Sequence, residues 1–311
     1  MSSELHVIFG SGPLGQSVMR ALHQRGKTIR LVNRSGRRPA ETPDGVEIVS
    51  GDAYDEAFTR SACRGAAVVY QCAQPHYWEW LTHFIPLQTA ILEGAAAAGA
   101  KLIAGDNLYM YGEVSGPIHE DLPYAAVTRK GRLRAEAAER LLAAHRAGKL
   151  RVAIGRGSDF FGPGVLDSAA GARMFRPALR GKPAEGLGNI DLPHSYTYIS
   201  DFGAALALLG EREEALGQAW HVPNAPAVST RRFIEMISAE LERPVKASAM
   251  NRLTLAFAGL FIPGARETVE MMYEFEKPFF VPGERFTRTF GLEATPLPEA
   301  LRATLAWYRQ N

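Results

Sequence analysis

Apolar and polar positions alternate along the first half of the chain in a pattern that predicts strands and helices in turn. Short apolar runs predict buried strands over Leu5 to Phe9, Thr28 to Asn33, Val46 to Ser50, Ala67 to Gln71, Leu102 to Ala104 and Leu150 to Ile154. Between these runs, apolar residues recur at helical spacing and predict helices over Pro13 to Gln24, Trp80 to Ala98 and Ala125 to Arg146. Strands that alternate with helices indicate βαβ units and a parallel sheet covered on both faces.

The second half of the chain is less regular, and is rich in Gly, Pro and aromatic residues from Phe160 to Tyr198. We therefore expect an α/β fold, in which a Rossmann-type doubly wound parallel sheet carries a smaller, interleaved C-terminal α+β substrate subdomain. The predicted nucleotide-binding domain spans residues 1–165, with residues 195–222 contributing to its sheet. The predicted substrate-binding subdomain comprises residues 166–194 and 223–311.

Composition narrows the class of protein. The 311 residues are 46% hydrophobic and 22% charged, with a net charge of +2, which is typical of soluble globular proteins and does not favour nucleic acid as a partner. The two cysteines, Cys63 and Cys72, lack the spacing of metal ligands, and the N-terminus lacks a signal-peptide pattern, so we expect a cytoplasmic protein. The apolar run from Leu253 to Pro263 is too short for a membrane span, and we expect a buried helix there.

A glycine-rich turn follows the first predicted strand and opens the first helix. It reads Gly10, Ser11, Gly12, Pro13, Leu14 and Gly15, which matches G-x-G-x-x-G. In this context the first glycine permits a tight turn, the second admits a pyrophosphate and the third lets the helix pack on the strand. The free N–H groups of the helix N-terminus would then bind the phosphates of a nicotinamide dinucleotide. The alternative is a glycine-rich turn without a ligand.

The end of the second predicted strand bears on the choice of cofactor. A carboxylate at this point would accept hydrogen bonds from a ribose 2′-hydroxyl, but the chain has Asn33, Arg34 and Ser35 instead. Arg34 can pair with a 2′-phosphate, and Arg37 or Arg38 can add charge. The sequence therefore favours NADP over NAD, while NAD stays possible and a solvated basic loop is the alternative.

Asp52 and Ala53 follow the third predicted strand. The Asp52 carboxylate is placed to accept a hydrogen bond from an adenine amino group. Its alternative role is to cap the helix that follows, and the sequence does not distinguish the two.

Further segments recur in the order and spacing of a known family. They are Gly51-Asp52, Gln71 to Pro75 with Ala73 and Gln74, Tyr111-Gly112, Arg156 with Phe161 to Gly164, and Tyr198 to Asp201. Together with the glycine turn, they resemble the short-chain dehydrogenase/reductase superfamily in its extended or atypical branch, the NAD-dependent epimerase/dehydratases. The resemblance implies that Ala73 and Gln74 lie beside the nicotinamide ribose.

The resemblance breaks at the residues that supply protons in the family. The family's Ser or Thr before the Tyr-Gly pair is Asn107 here, and its Tyr-x-x-x-Lys register falls on Thr128 and Arg132. A Tyr and a Lys at i and i+4 share one helix face, so the lysine charge lets the tyrosine exchange a proton. A threonine hydroxyl is too weak an acid for this, whereas Arg132 can still hydrogen-bond a ribose.

Four other residues are candidates for the chemistry. Tyr109 is the first candidate for proton donor, with His76 second and Lys130 third. Each has a structural alternative: a pocket wall for Tyr109, loop packing for His76, and a solvated side chain for Lys130, which we favour because it lies two residues from Arg132. Asn107 could donate to a substrate carbonyl or simply fix the turn.

These observations predict an NADP(H)-dependent oxidoreductase that moves a hydride between nicotinamide and a carbonyl or alcohol. An aromatic-rich second half suggests a small apolar or aromatic substrate, and neither nucleic acid nor a membrane is expected as a partner. The alternatives are an epimerase or dehydratase that oxidises its substrate transiently, and a redox sensor that binds NADP without turnover. Homodimer formation through the two long predicted helices is a further possibility.

Overall fold

A computed structural model describes residues 4–311, so the predictions that include Met1 to Ser3 lie partly outside it. The strands, numbered β1 to β13 in chain order, are Leu5–Phe9, Thr28–Asn33, Glu47–Ser50, Ala66–Gln71, Lys101–Asp106, Arg151–Arg156, Asp159–Phe161, Ala184–Leu187, Pro193–His194, Tyr196–Tyr198, Ala219–His221, Val228–Ser229 and Ala247–Met250. The helices, numbered α1 to α11, are Pro13–Gln24, Glu56–Ala62, Trp80–Ala97, Arg129–Arg146, Ala172–Leu179, Ile199–Glu211, Thr230–Glu240, Arg252–Ala258, Pro263–Thr268, Glu284–Phe290 and Leu297–Gln310. Short 3₁₀ turns occupy Tyr77–Glu79, Tyr109–Tyr111, Glu213–Ala215 and Val269–Phe275.

The central sheet has seven strands in the order β3-β2-β1-β4-β5-β6-β11, and all neighbouring pairs are parallel. The chain winds outward from β1 in one direction and then from β4 in the other, so a crevice opens at the carboxyl ends of β1 and β4. In open α/β sheets, ligands bind in this crevice. The predicted doubly wound Rossmann-type fold is confirmed.

Each face of the sheet is covered by its own apolar layer. Helices α1 and α6 pack on one face through residues such as Val18 and Leu206, which are fully buried. Helices α3 and α4 cover the other face through residues such as Ile91 and Leu141. Burial of both faces explains why the strands are continuous apolar runs rather than alternating ones.

The later chain forms a separate apolar cluster around Phe161, Phe175, Phe233 and Leu301. Two-stranded pairs, β7 with β10, β8 with β13 and β9 with β12, lie outside the central sheet. Strand β11 returns to the edge of the central sheet, where it pairs with β6. The exact domain boundaries stay a prediction.

Two predicted elements need correction. The helix expected from Ala125 begins at Arg129, because the Thr128 hydroxyl accepts a hydrogen bond from the Gly131 N–H and caps the first turn. The helix expected to be buried between Leu253 and Pro263 instead exposes most of its large apolar side chains, with Leu253 80% and Phe261 78% exposed. Within residues 4–311, no helix combines the length and apolar character needed to cross a bilayer.

Candidate functional site

The glycine turn between β1 and α1 has the geometry that a dinucleotide requires. Gly10 adopts a φ of +101°, and a Cβ there would lie 2.6 Å from the backbone nitrogen of Ala73. A Cβ on Gly15 would lie 1.9 Å from the Gly10 carbonyl oxygen, so only glycine lets α1 pack on the turn.

Gly12 differs from the other two glycines of the motif, Gly10 and Gly15. A Cβ at Gly12 would meet no heavy atom within 4 Å, so the protein leaves space over this residue. Among the described residues, no side chain caps the N-terminus of α1, which starts at Pro13, so the N–H groups of its first turn have no partner within the helix. An open cradle with unsatisfied donors and a positive helix end fits the pyrophosphate of a dinucleotide.

The loop after β2 is held by its own polar side chains. Asn33 Nδ2 donates to the Arg37 carbonyl at 3.0 Å, and the Ser35 hydroxyl donates to Asn33 Oδ1 at 3.2 Å. The Arg38 guanidinium donates to the carbonyls of Val46 and Pro43, so it braces the loop.

Arg34 is placed differently from Arg38. Its side chain is exposed, and among residues 4–311 no hydrogen bond or ion pair to its guanidinium group is found. It is therefore available for an external anion.

Asp52 lies at the same edge of the sheet and is exposed. Its carboxylate accepts a hydrogen bond from the Tyr54 N–H at 3.0 Å, whereas Asp55 caps helix α2 by accepting from the N–H groups of Ala57 and Phe58. The alternative role of Asp52 as the helix cap is thus wrong. Its predicted contact with adenine stays a prediction, as does a role for Ala53.

A buried arginine joins the ends of β4 and β5. Arg134 Nη1 donates to Asp106 Oδ1 at 3.1 Å, and Nη2 donates to Gln74 Oε1 at 3.0 Å. The guanidinium group lies 3.9 Å from the ring centroid of Trp80 and 4.0 Å from that of Phe84. This fixed cation stands next to Ala73 and Gln74, where the nicotinamide ribose was predicted.

The buried face of α4 is not the one that the sequence register suggested. Thr128 caps the helix and Arg132 is exposed, so the structure does not bring this pair into the site. Lys130 and Arg134, which have the same i, i+4 spacing, are both buried. Sequence reasoning missed Arg134, although its spacing from Lys130 was visible.

Lys130 is fully buried, so the preferred expectation of a solvated side chain is wrong. Its ammonium group forms a close ion pair with Glu267, lies 3.4 Å from Glu270, and sits 4.6 Å from the ring centroid of Tyr77. Although burial works against the charge of Glu267, the hydrogen bond and charge of Lys130 hold the pKa of Glu267 below its usual value. The lysine thus anchors α9 and the 3₁₀ turn Val269–Phe275 to α4.

Tyr109 and Asn107 follow β5. Asn107 Oδ1 accepts from the Tyr109 N–H at 3.2 Å, so Asn107 shapes the turn, as its structural alternative proposed. Tyr109 is half-buried against Trp80, with ring centroids 6.1 Å apart. Burial, with added repulsion from Tyr77 and Glu274, raises the pKa of Tyr109 well above its ordinary value, so its hydroxyl keeps its proton at neutral pH.

His76 stands apart from this group of residues. It is exposed and stacks on the half-exposed Trp78 with ring centroids 4.8 Å apart. The structure does not bring it to Tyr109.

A second histidine, His194 in strand β9, is buried. Its Nε2 lies 2.8 Å from Asp159 Oδ2. Sequence reasoning missed Asp159 as the partner of His194. Asp159 could have been noticed, because it follows a predicted strand at the edge of the sheet where ligands bind.

Comparisons with known proteins agree with this geometry. A family model, that of the NAD dependent epimerase/dehydratase family, matches residues 7–222. The chain belongs to this family. No curated protein matches the sequence.

Solved structures with a similar fold include proteins named as epimerases and dehydratases. A dTDP-glucose 4,6-dehydratase from Bacillus anthracis str. Ames, in complex with NAD, is 16% identical, with a TM-score of 0.79 over 99% of this chain and 97% of that one. A UDP-glucose 4-epimerase from Thermotoga maritima, with UDP-glucose, is 14% identical, with a TM-score of 0.80 over 98% and 99%. A UDP-N-acetylglucosamine 4-epimerase from Methanobrevibacter ruminantium M1 is 16% identical, with a TM-score of 0.81 over 100% and 99%. At these identities the likeness shows the fold, while the family match extends from β1 to the end of β11.

Proposed function

We propose that this protein is a nicotinamide-dependent epimerase or dehydratase that oxidises its substrate transiently and then returns the hydride. The observation that carries the proposal is the open cradle at Gly12, which lies at the same edge of the sheet as Arg134 and Tyr109. The family match supports transient oxidation over the net oxidoreductase that the sequence first favoured. A bound nicotinamide would supply the hydride acceptor, and the protein would position it.

The chain's own residues have distinct roles in this proposal. The N–H groups at the start of α1 bind the pyrophosphate, and Arg134, held by Asp106, hydrogen-bonds the nicotinamide ribose. Tyr109, whose hydroxyl stays protonated, donates a hydrogen bond to the substrate oxygen and orients it.

We propose NADP as the preferred cofactor, because Arg34 is an exposed cation with no partner among the described residues. A 2′-phosphate would pair with this guanidinium group. Two of the similar structures, the Bacillus anthracis dehydratase and a Bacillus cereus UDP-glucuronic acid 4-epimerase, were solved with NAD. Equal binding of NADP and NAD by this protein would contradict the proposed preference for NADP.

For the substrate, we propose a small hydroxylated molecule such as a sugar derivative. The aromatic density that suggested an apolar substrate is explained largely by packing, since Phe161, Phe175 and Tyr196 belong to an apolar core. The pKa of Tyr109 responds instead to the hydroxyl of Tyr77 and to the carboxyl groups of Glu274 and Asp159, and polar groups of this kind suit a substrate rich in hydroxyl groups.

The test is to incubate the protein with a trace of NADP⁺ or NAD⁺ and a panel of nucleotide sugars, free sugars, ketones and aldehydes. We expect NMR to show an epimerised or dehydrated product in excess over the cofactor, with no net gain in reduced nicotinamide absorbance. One reduced nicotinamide per product would instead establish a net oxidoreductase. Tight cofactor binding with no turnover across the panel would favour the sensor.

A further inference from the structure

The segment that runs from helix α8 into helix α9 exposes a cluster of large apolar side chains. Five of the ten exposed large hydrophobic residues among residues 4–311 lie in it, and each of the five is between 56% and 80% exposed. Single exposed apolar side chains are normal on a protein surface, whereas a contiguous group of them marks an interaction site. We call this group the apolar patch, and it comprises Leu253, Phe257, Leu260, Phe261 and Ile262.

The helices that carry the apolar patch hold it in a fixed shape. The rings of Phe257 and Phe261 meet edge to face, with centroids 6.1 Å apart. Leu255 is fully buried, so α8 has one buried and one exposed face. A Cβ on Gly259 would lie 2.8 Å from the Arg266 Cα, so α9 packs directly against the end of α8. The apolar patch is therefore the outer face of an anchored pair of helices.

The backbone at the tip of the patch has paired its amide donors. The N–H groups of Gly259, Leu260, Phe261 and Ile262 donate to carbonyl groups of α8 at 2.8 to 3.2 Å. The next residue, Pro263, has no N–H group to pair. An unpaired N–H group is costly in an apolar medium, and a tip whose donors are paired avoids that cost. The backbone as well as the side chains thus suits a lipid interface.

The charges around the patch have a positive excess. From residue 243 to residue 266 the sequence contains four basic residues and no acidic one. In the folded protein, Arg252 is paired with Glu276 at 2.7 Å, and Arg266 lies 3.7 Å from Glu267. Glu267 also forms an ion pair with the buried Lys130, so it compensates only part of the charge of Arg266. The Arg266 side chain is 71% exposed and presents this charge at the rim of the patch.

These features favour an anionic lipid surface over a second copy of the chain. In a two-fold dimer the same patch contacts itself, so the exposed Arg266 groups of the two copies would approach one another. A lipid interface instead presents hydrocarbon to the apolar side chains and phosphate to the flanking arginine.

We propose that the apolar patch inserts into the surface of a membrane that contains anionic lipids, where Arg266 pairs with a lipid phosphate. Binding of this kind needs no spanning helix, so it is compatible with the finding that none occurs among residues 4–311. It revises the expectation, drawn from the sequence, that a membrane is not a partner. The inference does not depend on the proposed function, because no residue of the patch has a role in it.

Flotation with lipid vesicles tests this surface on the whole chain. We expect the protein to bind vesicles made of phosphatidylcholine and phosphatidylserine in equal amounts, and to bind phosphatidylcholine vesicles about fivefold more weakly or less. Binding to the mixed vesicles should fall as salt is added, because salt screens exposed charges. Absence of binding to the mixed vesicles would overturn the proposal.

Substitution of the apolar side chains then locates the contact. The double variant Phe257→Ser with Phe261→Ser should keep the wild-type circular dichroism spectrum, because both side chains are exposed, but should bind the mixed vesicles about tenfold more weakly or less. The control is Leu166→Ser, which removes an exposed apolar side chain outside the patch and should leave binding unchanged. Wild-type binding in the folded double variant would overturn the proposal.

The contribution of charge is measured with Arg266→Gln. This variant should bind the mixed vesicles about fivefold more weakly, while its binding to phosphatidylcholine alone stays the same. Arg309→Gln, at another exposed arginine, should behave as the wild type does. Equal losses on both kinds of vesicle in Arg266→Gln would overturn the pairing with phosphate.

Sedimentation velocity tests the competing occupant, a second copy. We expect the wild type and the double variant Phe257→Ser with Phe261→Ser to have the same oligomeric state in solution. A wild-type oligomer that dissociates in the double variant would show that the patch joins two copies, and would overturn the proposal.

Discussion

Arg134 Nη1 lies 3.1 Å from Asp106 Oδ1, and this ion pair ties the buried face of α4 to the end of β5. Both side chains are more than nine-tenths buried, and Asp106 also lies 3.6 Å from Arg156 Nε. Removing one member of such a pair leaves a buried charge with less compensation.

We therefore expect Arg134→Met to lower the free energy of unfolding by about 3 kcal/mol. Urea denaturation measures this, and the double variant Arg134→Met with Asp106→Asn should recover part of the loss. The control is Arg140→Met on the same helix, because Arg140 pairs with Glu136 at the surface, and its loss should stay below about 0.5 kcal/mol. Equal losses for the two arginines would contradict a special role for the buried pair.

Replacement of Arg34 tests the choice of cofactor. Arg34→Ala should weaken NADPH binding about tenfold or more, because a charge-assisted contact to the 2′-phosphate is lost, while NADH binding stays unchanged. Fluorescence titration of both cofactors gives the two affinities. Arg309→Ala, an exposed arginine near the end of α11, is the control and should alter neither. If Arg34→Ala weakens both cofactors equally, the 2′-phosphate is not its partner.

Acid should destabilise the fold through His6. Burial, with the added charge of Lys27, lowers the pKa of His6 to about 4, so the folded state keeps this ring neutral while the unfolded state takes up a proton below about pH 6.5. The unfolded state then binds more protons, and stability falls as the pH drops from 6.5 to about 4, by up to about 3 kcal/mol.

His6→Phe should flatten this part of the stability–pH curve, measured by denaturation at a series of pH values. His23→Asn, at an exposed position, should leave the curve as it is. A curve of unchanged slope in His6→Phe would show that His6 titrates normally in the folded protein.

Helix α8 offers a direct comparison between an exposed and a buried leucine. Leu253 is 80% exposed, whereas Leu255 is fully buried against residues such as Met272. Leu255→Ala should lower the free energy of unfolding by about 2 to 5 kcal/mol, and Leu253→Ala by less than about 0.5 kcal/mol. A large loss for Leu253→Ala would mean that this surface is covered in solution.

Local patterns predicted the sheet and the tight glycine turn after β1 well. Strand runs such as Leu5–Phe9 are buried on both faces, so their composition alone identifies them, and the glycine turn has a steric requirement that few other residues meet. The helix register was harder, because Arg132 and Arg134 differ by only two positions, yet a helix turns through more than half a circle between them.

The surroundings of His194 could not be predicted from sequence. Asp159 and Phe275 are distant along the chain, and only the folded structure brings both of them to the His194 ring. The exposure of Leu253 could not be predicted either. An apolar run in the sequence shows which side chains favour burial, but it does not show whether another element of the fold covers them.

The measurement that tests the central claim most directly is cofactor affinity in Gly12→Ala. Its backbone φ of −70° suits alanine and the added methyl group meets no protein atom within 4 Å, so the melting temperature should not change. The methyl group does enter the space assigned to the pyrophosphate, and NADPH and NADH binding should both weaken at least tenfold. Gly264→Ala, at a position in helix α9 that is equally free of neighbours, should leave the affinity unchanged and should raise stability slightly, because alanine favours a helix more than glycine does. Wild-type affinity in a stably folded Gly12→Ala would contradict the account, because it would show that no dinucleotide phosphate lies against this turn.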